Sequence, residues 1–577
     1  MRRLQAVQGR VSVTRLVLAA VVLALAWTIW GAHWLSAVWL LVPVVAFFCA
    51  VAYHAVLRRR HSQIRRAAEF YRRGLARLED RWAGVGNRGE RFRDPHHVYS
   101  ADLDLFGEGS LFELLCAART RMGEETLARW LLAPAELREI GERQAGVRDL
   151  RDRLDLRERV AALGSERELI LQPEGLLAWA DAPPVLGMAW VGWAAYLLPT
   201  SCIAALATGL LTDIWSPLLL MLTLEAISLY GLRKSLRGVL SPAEQAFDSD
   251  DLKTFVGLLR EIEQEKFDSG PMRGLAHDLC SGAIRASACI GRLAFLVMLS
   301  EQRKNLIVSL FQVPLLYPLH VALAAERWRR THGSSVRKWV EAAGCFEALG
   351  SLAQYGFEHP DDPFPAFVDG RARLKCLGLG HQLIARAKCV RNDVSISEPE
   401  RIWLVSGSNM SGKSTLLRAI GLNVILAMAG APVRAQAFEL TPLQVGASIR
   451  INDSLREGSS RFYAEITRLR QLRDLCEREP ALLFLIDEML QGTNSNDRRV
   501  GAEGVLGALV EAGAIGLATT HDLALTQLGA LGEGVLRNMH FEDYMENGHM
   551  RFDYRLREGV VMKSNGLELM RAVGLRV

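Results

Sequence analysis

Ile402-Trp403-Leu404-Val405-Ser406 runs directly into Gly407-Ser408-Asn409-Met410-Ser411-Gly412-Lys413-Ser414-Thr415, and a helical pattern follows at once. A short apolar strand, a GxxxxGK[ST] loop and a helix form the arrangement that cradles phosphates. The glycines let backbone N–H groups curl around the oxygens, Lys413 neutralises the β/γ charge, and the Ser414 hydroxyl can ligate Mg²⁺ at the helix N-terminus. All nine residues from Gly407 to Thr415 are therefore candidate nucleotide contacts. A glycine-rich turn without a ligand is the bland alternative, and the downstream sequence weighs against it.

Ala481 to Ile486 is a continuous apolar run, suited to a buried parallel strand, and it ends in Asp487-Glu488. Asp487 is placed to hold Mg²⁺ and Glu488 to orient or deprotonate an attacking water. Ala514 to Thr520 reads as a third strand. It ends in His521, whose position suits a sensor of the γ-phosphate.

Outward from this core, 577 residues allow three or four structural units. A hydrophobic share of 50%, a charged share of 23% and a mean hydropathy of +0.11 exclude a disordered or fibrous chain and point to lipid contact. The net charge of +5 is too weak, over the whole chain, to announce a nucleic-acid binder. Nine cysteines form no CxxC pair and no zinc spacing, so they read as buried thiols in a reducing compartment.

No Asp, Glu, Lys or Arg occurs from Leu16 to Leu57, about twice what one bilayer-spanning helix needs. A turn at Gly31-Ala32-His33 and interfacial anchors at Trp27, Trp30, Trp34 and Trp39 give a transmembrane hairpin. A signal peptide fits less well, because a second apolar span follows without a small-residue cleavage site. A second apolar block runs from Ala182 to Thr212, is interrupted by Asp213, and resumes from Ile214 to Leu232 with one acid, Glu225. It reads as another hairpin, with buried soluble helices as the alternative. Arg2, Arg3, Arg10 and Arg15 precede the first block, Arg58, Arg59 and Arg60 follow it, and Arg233, Lys234 and Arg237 follow the second, which sets these flanks in the cytoplasm. A third uncharged run, Asn305 to Ala325, is read as a core or membrane-resting helix bent at Pro314 and Pro318. A fifth crossing would carry the nucleotide motif outside.

The loop from Gly407 to Thr415 resembles the P-loop of the MutS family of DNA mismatch-repair ATPases, which are ABC-type enzymes. The likeness extends to Arg391-Asn392-Asp393, to Ala431-Pro432-Val433-Arg434-Ala435, and to Glu457 through Glu465, which resembles the signature loop. It continues through Gly492-Thr493-Asn494-Ser495-Asn496-Asp497 and Thr520-His521. Near the end, Gly559, Lys563-Ser564, Gly566 and Gly574 fit the family's closing helix. The resemblance implies Mg²⁺-dependent ATP hydrolysis in a homodimer, with Ser460 carried by one protomer to the γ-phosphate held by the other. It also implies that His540 contacts nucleotide. Leu103 to Leu115, Met122-Gly123, Leu127 to Pro134, Arg143 and Val147 to Leu150 look like the start of the family's helical core. From spacing alone these say only that a helical bundle is present.

Departures shape the expectation. Ser408 and Ser411 replace the usual Pro and Gly, and Cys389 stands where the family offers an aromatic to adenine. The first hairpin takes the place of the mismatch-reading domain, and Phe106-Gly107-Glu108 is read as coincidental, so mismatch specificity is not expected. The sequence stops at Val577, so a short or absent dimer-contact tail is expected. Arg434, Arg450, Arg456, Arg461, Arg468, Arg470 and Arg473 gather around the signature stretch. Solvated, salt-bridged or ATP-directed roles outweigh DNA contact, because no aromatics interleave them. Arg58 to Arg66 suits anionic lipid.

The predicted architecture is an α/β ABC-type P-loop ATPase domain joined to an all-α helical core with two transmembrane hairpins. The boundaries are 1–60 for the first hairpin, 61–181 for the first part of the core and 182–232 for the second hairpin. The second part of the core covers 233–369 and the ATPase domain 370–577. A multi-pass protein of the cytoplasmic membrane is expected, its ATPase domain cytoplasmic and coupled to DNA. The rival is an ATP-driven membrane machine that acts on a protein or lipid partner without DNA. A non-hydrolysing scaffold is disfavoured by intact Lys413, Asp487 and Glu488.

Overall fold

The computed structural model describes residues 2–561, apart from 32–35, 164–172, 187–188, 247–248, 282–283, 306–307, 310–311, 451–460, 492, 523–524, 527–531, 533 and 547–548. Two long helices open it, α1 (Arg2–Trp30) and α2 (Leu41–Leu78), packed side by side. A run of shorter helices follows: α3 (Leu111–Leu115), α4 (Arg121–Leu132), α5 (Leu137–Arg151), α6 (Leu154–Ala162) and α7 (Pro173–Asp181). The second apolar block forms α8 (Ala189–Thr212) and α9 (Ser216–Ala246), and α10 (Ser249–Gln264), α11 (Gly270–Asp278) and α12 (Ala286–Glu301) complete the region before α13 (Tyr317–Glu358). Local chemistry sets the starts of several helices. The Ser110, Thr120 and Ser269 side chains accept from the backbone N–H three residues on, which satisfies otherwise orphaned donors.

Helix α1 ends at Trp30 and α2 starts at Leu41, and residues 32–35 of the expected turn lie outside the described residues. Outward side chains of this helix pair are exposed and apolar, among them Leu16, Leu23, Trp27 and Trp30. Three helical segments, Gly9–Trp30, Val38–Leu78 and Trp190–Thr212, are long and apolar enough to cross a membrane. The segment in α9 is not one of them, because Glu225 and the polar residues around it dilute its hydropathy. Still, α8 and α9 pack as an antiparallel pair around a turn at Asp213, whose φ is +56°.

Two expectations change. The boundary after residue 60 falls inside α2, which continues unbroken for 38 residues from the apolar hairpin into the polar core. The run from Asn305 to Ala325 is no single bent helix: residues 312–316 form turns, and α13 starts only at Tyr317 with Pro318 in its first turn. There proline removes an N–H that has no intrahelical partner anyway, so it starts a helix instead of kinking one.

The 42-residue helix α13 is the spine of the core. It packs against α4, α5, α7, α9, α11 and α12. Gly344 permits the close approach to α4, since a Cβ there would lie 2.8 Å from Thr126 Oγ1. Next to it, buried Glu347 accepts from the Arg119 N–H at 2.8 Å and from the Thr120 hydroxyl. At its C-terminus, Glu358 meets Arg77 of α2 in a bidentate pair, Nε to Oε2 and Nη2 to Oε1 both 2.7 Å. The two side chains are 10% and 3% exposed. Phe106 is buried against Phe92 and Phe112, while Glu108 is exposed and pairs with Arg88, so the phenylalanine belongs to the core.

The C-terminal region holds two sheets. One has β3 (Ala366–Phe367), β4 (Leu374–Leu379), β5 (Asn392–Ile396) and β7 (Ala437–Leu440); the other has β6 (Ile402–Ser406), β8 (Leu443–Ser448), β9 (Ala481–Ile486), β10 (Ile515–Thr520), β11 (Leu536–Glu546) and β12 (His549–Glu558). A short hairpin, β1 (Cys280–Ser281) with β2 (Ile284–Arg285), lies earlier in the chain. The larger sheet has the order β12-β11-β6-β10-β9-β8 and is parallel except for β12. Helices α14 (Lys413–Ala429), α15 (Arg461–Leu475) and α16 (Ser495–Glu511) accompany it. Gly430 ends α14 at φ +84°, where a Cβ would come 2.6 Å from Arg143 Cβ of α5. The ATPase-type sheet is thus docked directly on the helical core.

Two outcomes test this packing. Glu358→Ala leaves Arg77 charged and largely buried without its partner, and is expected to destabilise the protein by about 3–5 kcal/mol in denaturant titration of the detergent-solubilised chain. Burial pushes the Glu347 carboxyl up from 4.5 to about 7. The folded state therefore holds that proton more tightly than the unfolded state. Its stabilising contribution is complete below pH 4.5 and is lost as pH rises through about 7, a change of about 3 kcal/mol. Glu347→Gln is expected to flatten that part of the stability profile.

Candidate functional site

The site sits at the C-terminal ends of three adjacent parallel strands, β6, β10 and β9, where the order of connections leaves a crevice. β6 delivers the loop 407–412, β9 delivers Asp487-Glu488, and β10 delivers Thr519, Thr520 and His521. The loop geometry requires glycine at both ends. Gly407 has φ +150° and Gly412 φ +106°, and a Cβ on Gly407 would lie 2.9 Å from Ser411 Oγ. Met410 takes φ +68° and exposes its side chain. Asn409 and Thr415 stand at the exposed rim.

Lys413 is 5% exposed, and its ammonium folds back over the loop, donating to the carbonyls of Gly407 at 2.9 Å and Ser408 at 2.8 Å. His521 Nε2 is 3.3 Å away. Burial holds the Lys413 ammonium below its ordinary range, against the opposing pull of Glu488 and Asp487. Among the described residues the Ser408 and Ser411 hydroxyls have no hydrogen-bond partner.

The acid pair is held by a compact network. Ser414 Oγ donates to Asp487 Oδ2 at 2.5 Å, and Thr519 Oγ1 donates to Asp487 Oδ1 at 2.5 Å. The same Thr519 oxygen accepts from the Glu488 N–H at 2.9 Å. Glu488 adopts φ +51°, which turns its carboxylate into the crevice, where Oε1 lies 2.6 Å from His521 Nε2 and Oε2 accepts from Gln491 at 2.5 Å. The Leu490 N–H donates to buried Glu465 at 2.5 Å, which fixes the turn that follows. Ser414 and Asp487 present hard oxygen donors side by side at a helix N-terminus, a donor set that fits Mg²⁺.

Beside the loop lies a cavity of about 420 Å³, lined among others by His381, Lys388, Cys389, Thr415, Phe541 and Tyr554. Cys389 is there as expected, with its Sγ facing the His381 N–H at 3.3 Å. Beside Phe541, the cavity is lined by Tyr554 of β12, whose Cδ1 would be 3.1 Å from a Cβ on Gly412. Asn392 ties this strand to β5, donating to the Tyr554 carbonyl and accepting from the Leu556 N–H. No local motif marks Tyr554 in the sequence; only the pairing of a distant hairpin brings it to the loop. His540, by contrast, does not line the cavity. Its Nδ1 lies 3.1 Å from the Gly559 carbonyl and its Nε2 3.6 Å from Glu542.

Three arginines of this region have partners within the fold, while Arg470 and Arg473 are exposed. Arg434 is buried and donates to the carbonyls of His381 and Ile384, Arg450 pairs with Asp104, and Arg468 donates to the His97 carbonyl. Ser460, Arg456, Gly492 and the stretch with Lys563, Ser564, Gly566 and Gly574 lie outside the described residues. The nine cysteines are free, and among the described residues no cluster of His, Cys, Asp and Glu is arranged for a metal ion.

A parallel sheet with a phosphate loop after one strand and an acid pair two strands away defines a P-loop nucleotide-binding domain. Residues 403–576 match the family model for MutS domain V. Among similar proteins, "Endonuclease MutS2" of Thermus thermophilus is 36% identical over 263 residues, 44% of this chain and 32% of that protein. "DNA mismatch repair protein MutS 2" of Halobacterium salinarum is 30% identical over 259 residues, 44% of this chain and 28% of that protein. "DNA mismatch repair protein MutS" of Shouchella clausii is 33% identical over 196 residues, 33% of this chain and 22% of that protein. The family-model match is to this C-terminal domain, residues 403–576. The chain spans about a third or less of the length of these relatives.

Proposed function

We propose that this protein is a membrane-anchored MutS-type ATPase that hydrolyses ATP at a site completed by a second copy of the chain. The observation that carries this reading is the convergence of Lys413, Ser414, Asp487, Glu488 and His521 on one crevice beneath the loop from Gly407 to Thr415. In this reading the loop amides and Lys413 bind the β- and γ-phosphates. The ammonium then exchanges two backbone carbonyls for phosphate oxygens, a favourable trade for a buried cation.

Ser414 and Asp487 hold Mg²⁺, which screens the phosphate charge when bound. Glu488 orients and deprotonates the attacking water. His521, through the one nitrogen that reaches both Glu488 and Lys413, reports occupancy of the γ-phosphate position to the base. Ser460 of the second copy closes the site in trans. Tyr554 and Phe541 wall the base cavity in place of an aromatic at Cys389, a role that His540 does not share. The reading retains the domain division above, with the first boundary moved beyond α2. It sets the two hairpins in the cytoplasmic membrane with the ATPase domain on the cytoplasmic side.

The family names of the relatives support coupling of ATP turnover to DNA. The alternative, a membrane machine whose partner is a protein or lipid, is favoured by Arg434, which is buried against backbone carbonyls and so offers no charge to a DNA surface. Mismatch recognition is not part of either reading.

ATPase rates of the purified full-length protein, with and without duplex, mismatched and branched DNA at fixed salt, decide between the two. Stimulation by DNA supports the first reading, and indifference to every DNA supports the second. Lys413→Ala is expected to abolish turnover. Glu488→Gln is expected to lower kcat by about 10²–10⁴-fold while ATP stays bound. Tyr554→Ala is expected to weaken ATP binding by about 1–3 kcal/mol, with Tyr554→Phe close to the parent, as read by a fluorescent ATP analogue.

A further inference from the structure

Glu225 has no role in the nucleotide site, yet it is the most unusual side chain in the second hairpin. It lies in the seam where α9 meets α8 and is 0% exposed. The residues beside it on α9, Leu224 and Ile227, face outward and are exposed. Across the seam, α8 turns small residues inward, with Ala195, Cys202 and Ala205 all buried. Neither carboxyl oxygen of Glu225 has a hydrogen-bond partner.

The titratable group that faces it is the Cys202 thiol of α8, a weak donor that carries no positive charge. Cations of neighbouring elements are engaged elsewhere. Arg233, two turns further along α9, stacks on Tyr230, and Arg329 of α13 is paired with Glu326 and bonded to the Pro183 carbonyl. His320 of α13 packs on Tyr196 of α8. A carboxylate sealed in an apolar seam, with no cation and only a weak thiol donor facing it, is a state that burial strongly disfavours. A carboxylic acid in the same place carries no net charge.

Building on the membrane reading above, we propose that Glu225 is a proton-binding site inside the second hairpin, occupied while α8 and α9 are closed on each other and emptied when they part. The ligand is a proton, and the seam offers no coordinating oxygens for a larger cation. Such a site makes the opening of this hairpin dependent on the proton supply at the membrane. It gives the hairpin a function beyond anchoring.

An apolar carbodiimide tests this on the full-length protein in phosphatidylcholine–phosphatidylglycerol vesicles. The protonated acid adds across one C=N bond, carboxyl oxygen to carbon and proton to nitrogen. The acyl group then shifts to nitrogen, which leaves a stable N-acylurea and no leaving group. Dicyclohexylcarbodiimide is expected to mark Glu225 in peptide mass mapping, with the adduct absent from Glu225→Gln and retained in Cys202→Ala. Marking by a water-soluble carbodiimide at an equal rate would show a carboxyl open to water and overturn the proposal. Alkaline carbonate extraction of the same vesicles separates the two levels of inference. Protein that stays in the bilayer with Glu225 unmarked refutes the proton site alone, whereas protein released by carbonate refutes the membrane reading and the site with it.

Discussion

The pair between Arg77 and Glu358 joins the two halves of this molecule. Arg77 is near the end of the helix that emerges from the first hairpin, and Glu358 closes the helix that forms the spine of the core. A guanidinium and a carboxylate with two 2.7 Å contacts and little exposure fix both distance and angle between their helices. The surroundings satisfy the remaining polar atoms. Gln354 donates to Glu358, buried Arg157 donates to Gln354, and Gly74 leaves room for the carboxylate, its missing Cβ lying 3.3 Å from Glu358 Oε1. A buried ion pair contributes little net stability against an apolar replacement, but it specifies one geometry, and removal of either member strands the other.

From that pair the packing continues to the nucleotide loop without a gap. Gly356, two residues before the end of α13, admits Pro432, whose Cγ would be 3.2 Å from a Cβ there. The Val433 N–H donates to the Pro363 carbonyl, and the Arg434 N–H donates to Asn423 in the middle of the helix that starts at Lys413. Asn423 also donates to the Gly380 carbonyl, next to His381 in the wall of the base cavity. Arg434 therefore carries weight as a buried brace between cavity wall and core. Burial and the nearby Arg418 and Arg434 push the His381 imidazole down to about 4, so that wall stays neutral at physiological pH.

What the sequence revealed and what it hid follow from the range of the interactions involved. The loop from Gly407 to Thr415, the strand ending in Asp487 and the strand ending in His521 were legible because each is a contiguous signal: an apolar run followed by residues whose chemistry needs a strand end. The helix pair on either side of Gly31 was legible for the same reason. Tyr554 was hidden because its placement depends on strand pairing with β11 and on Asn392, neither of which leaves a local pattern. The continuation of α2 through Arg58, Arg59 and Arg60 was hidden because charge marks the edge of the apolar segment, and helix propensity does not stop there. The start of α13 at Tyr317 was misread because proline breaks a helix interior but suits a first turn, and composition alone does not say which applies. The arginines from 434 to 473 cluster in the sequence, yet Arg434, Arg450 and Arg468 meet three different partners in the fold.

The crevice pairs its charged groups within the chain, because a buried ammonium needs acceptors and a buried carboxylate needs donors. Lys413 takes the carbonyls of Gly407 and Ser408, Asp487 is satisfied by the hydroxyls of Ser414 and Thr519, and Glu488 by Gln491 and His521. The crevice therefore holds these charges in balance through contacts of its own. Its walls are continuous with α13 and, through Glu358, with α2. Any rearrangement at Lys413 large enough to move α14 must be absorbed by the Gly356–Pro432 contact or passed to the helix that leads into the hairpin.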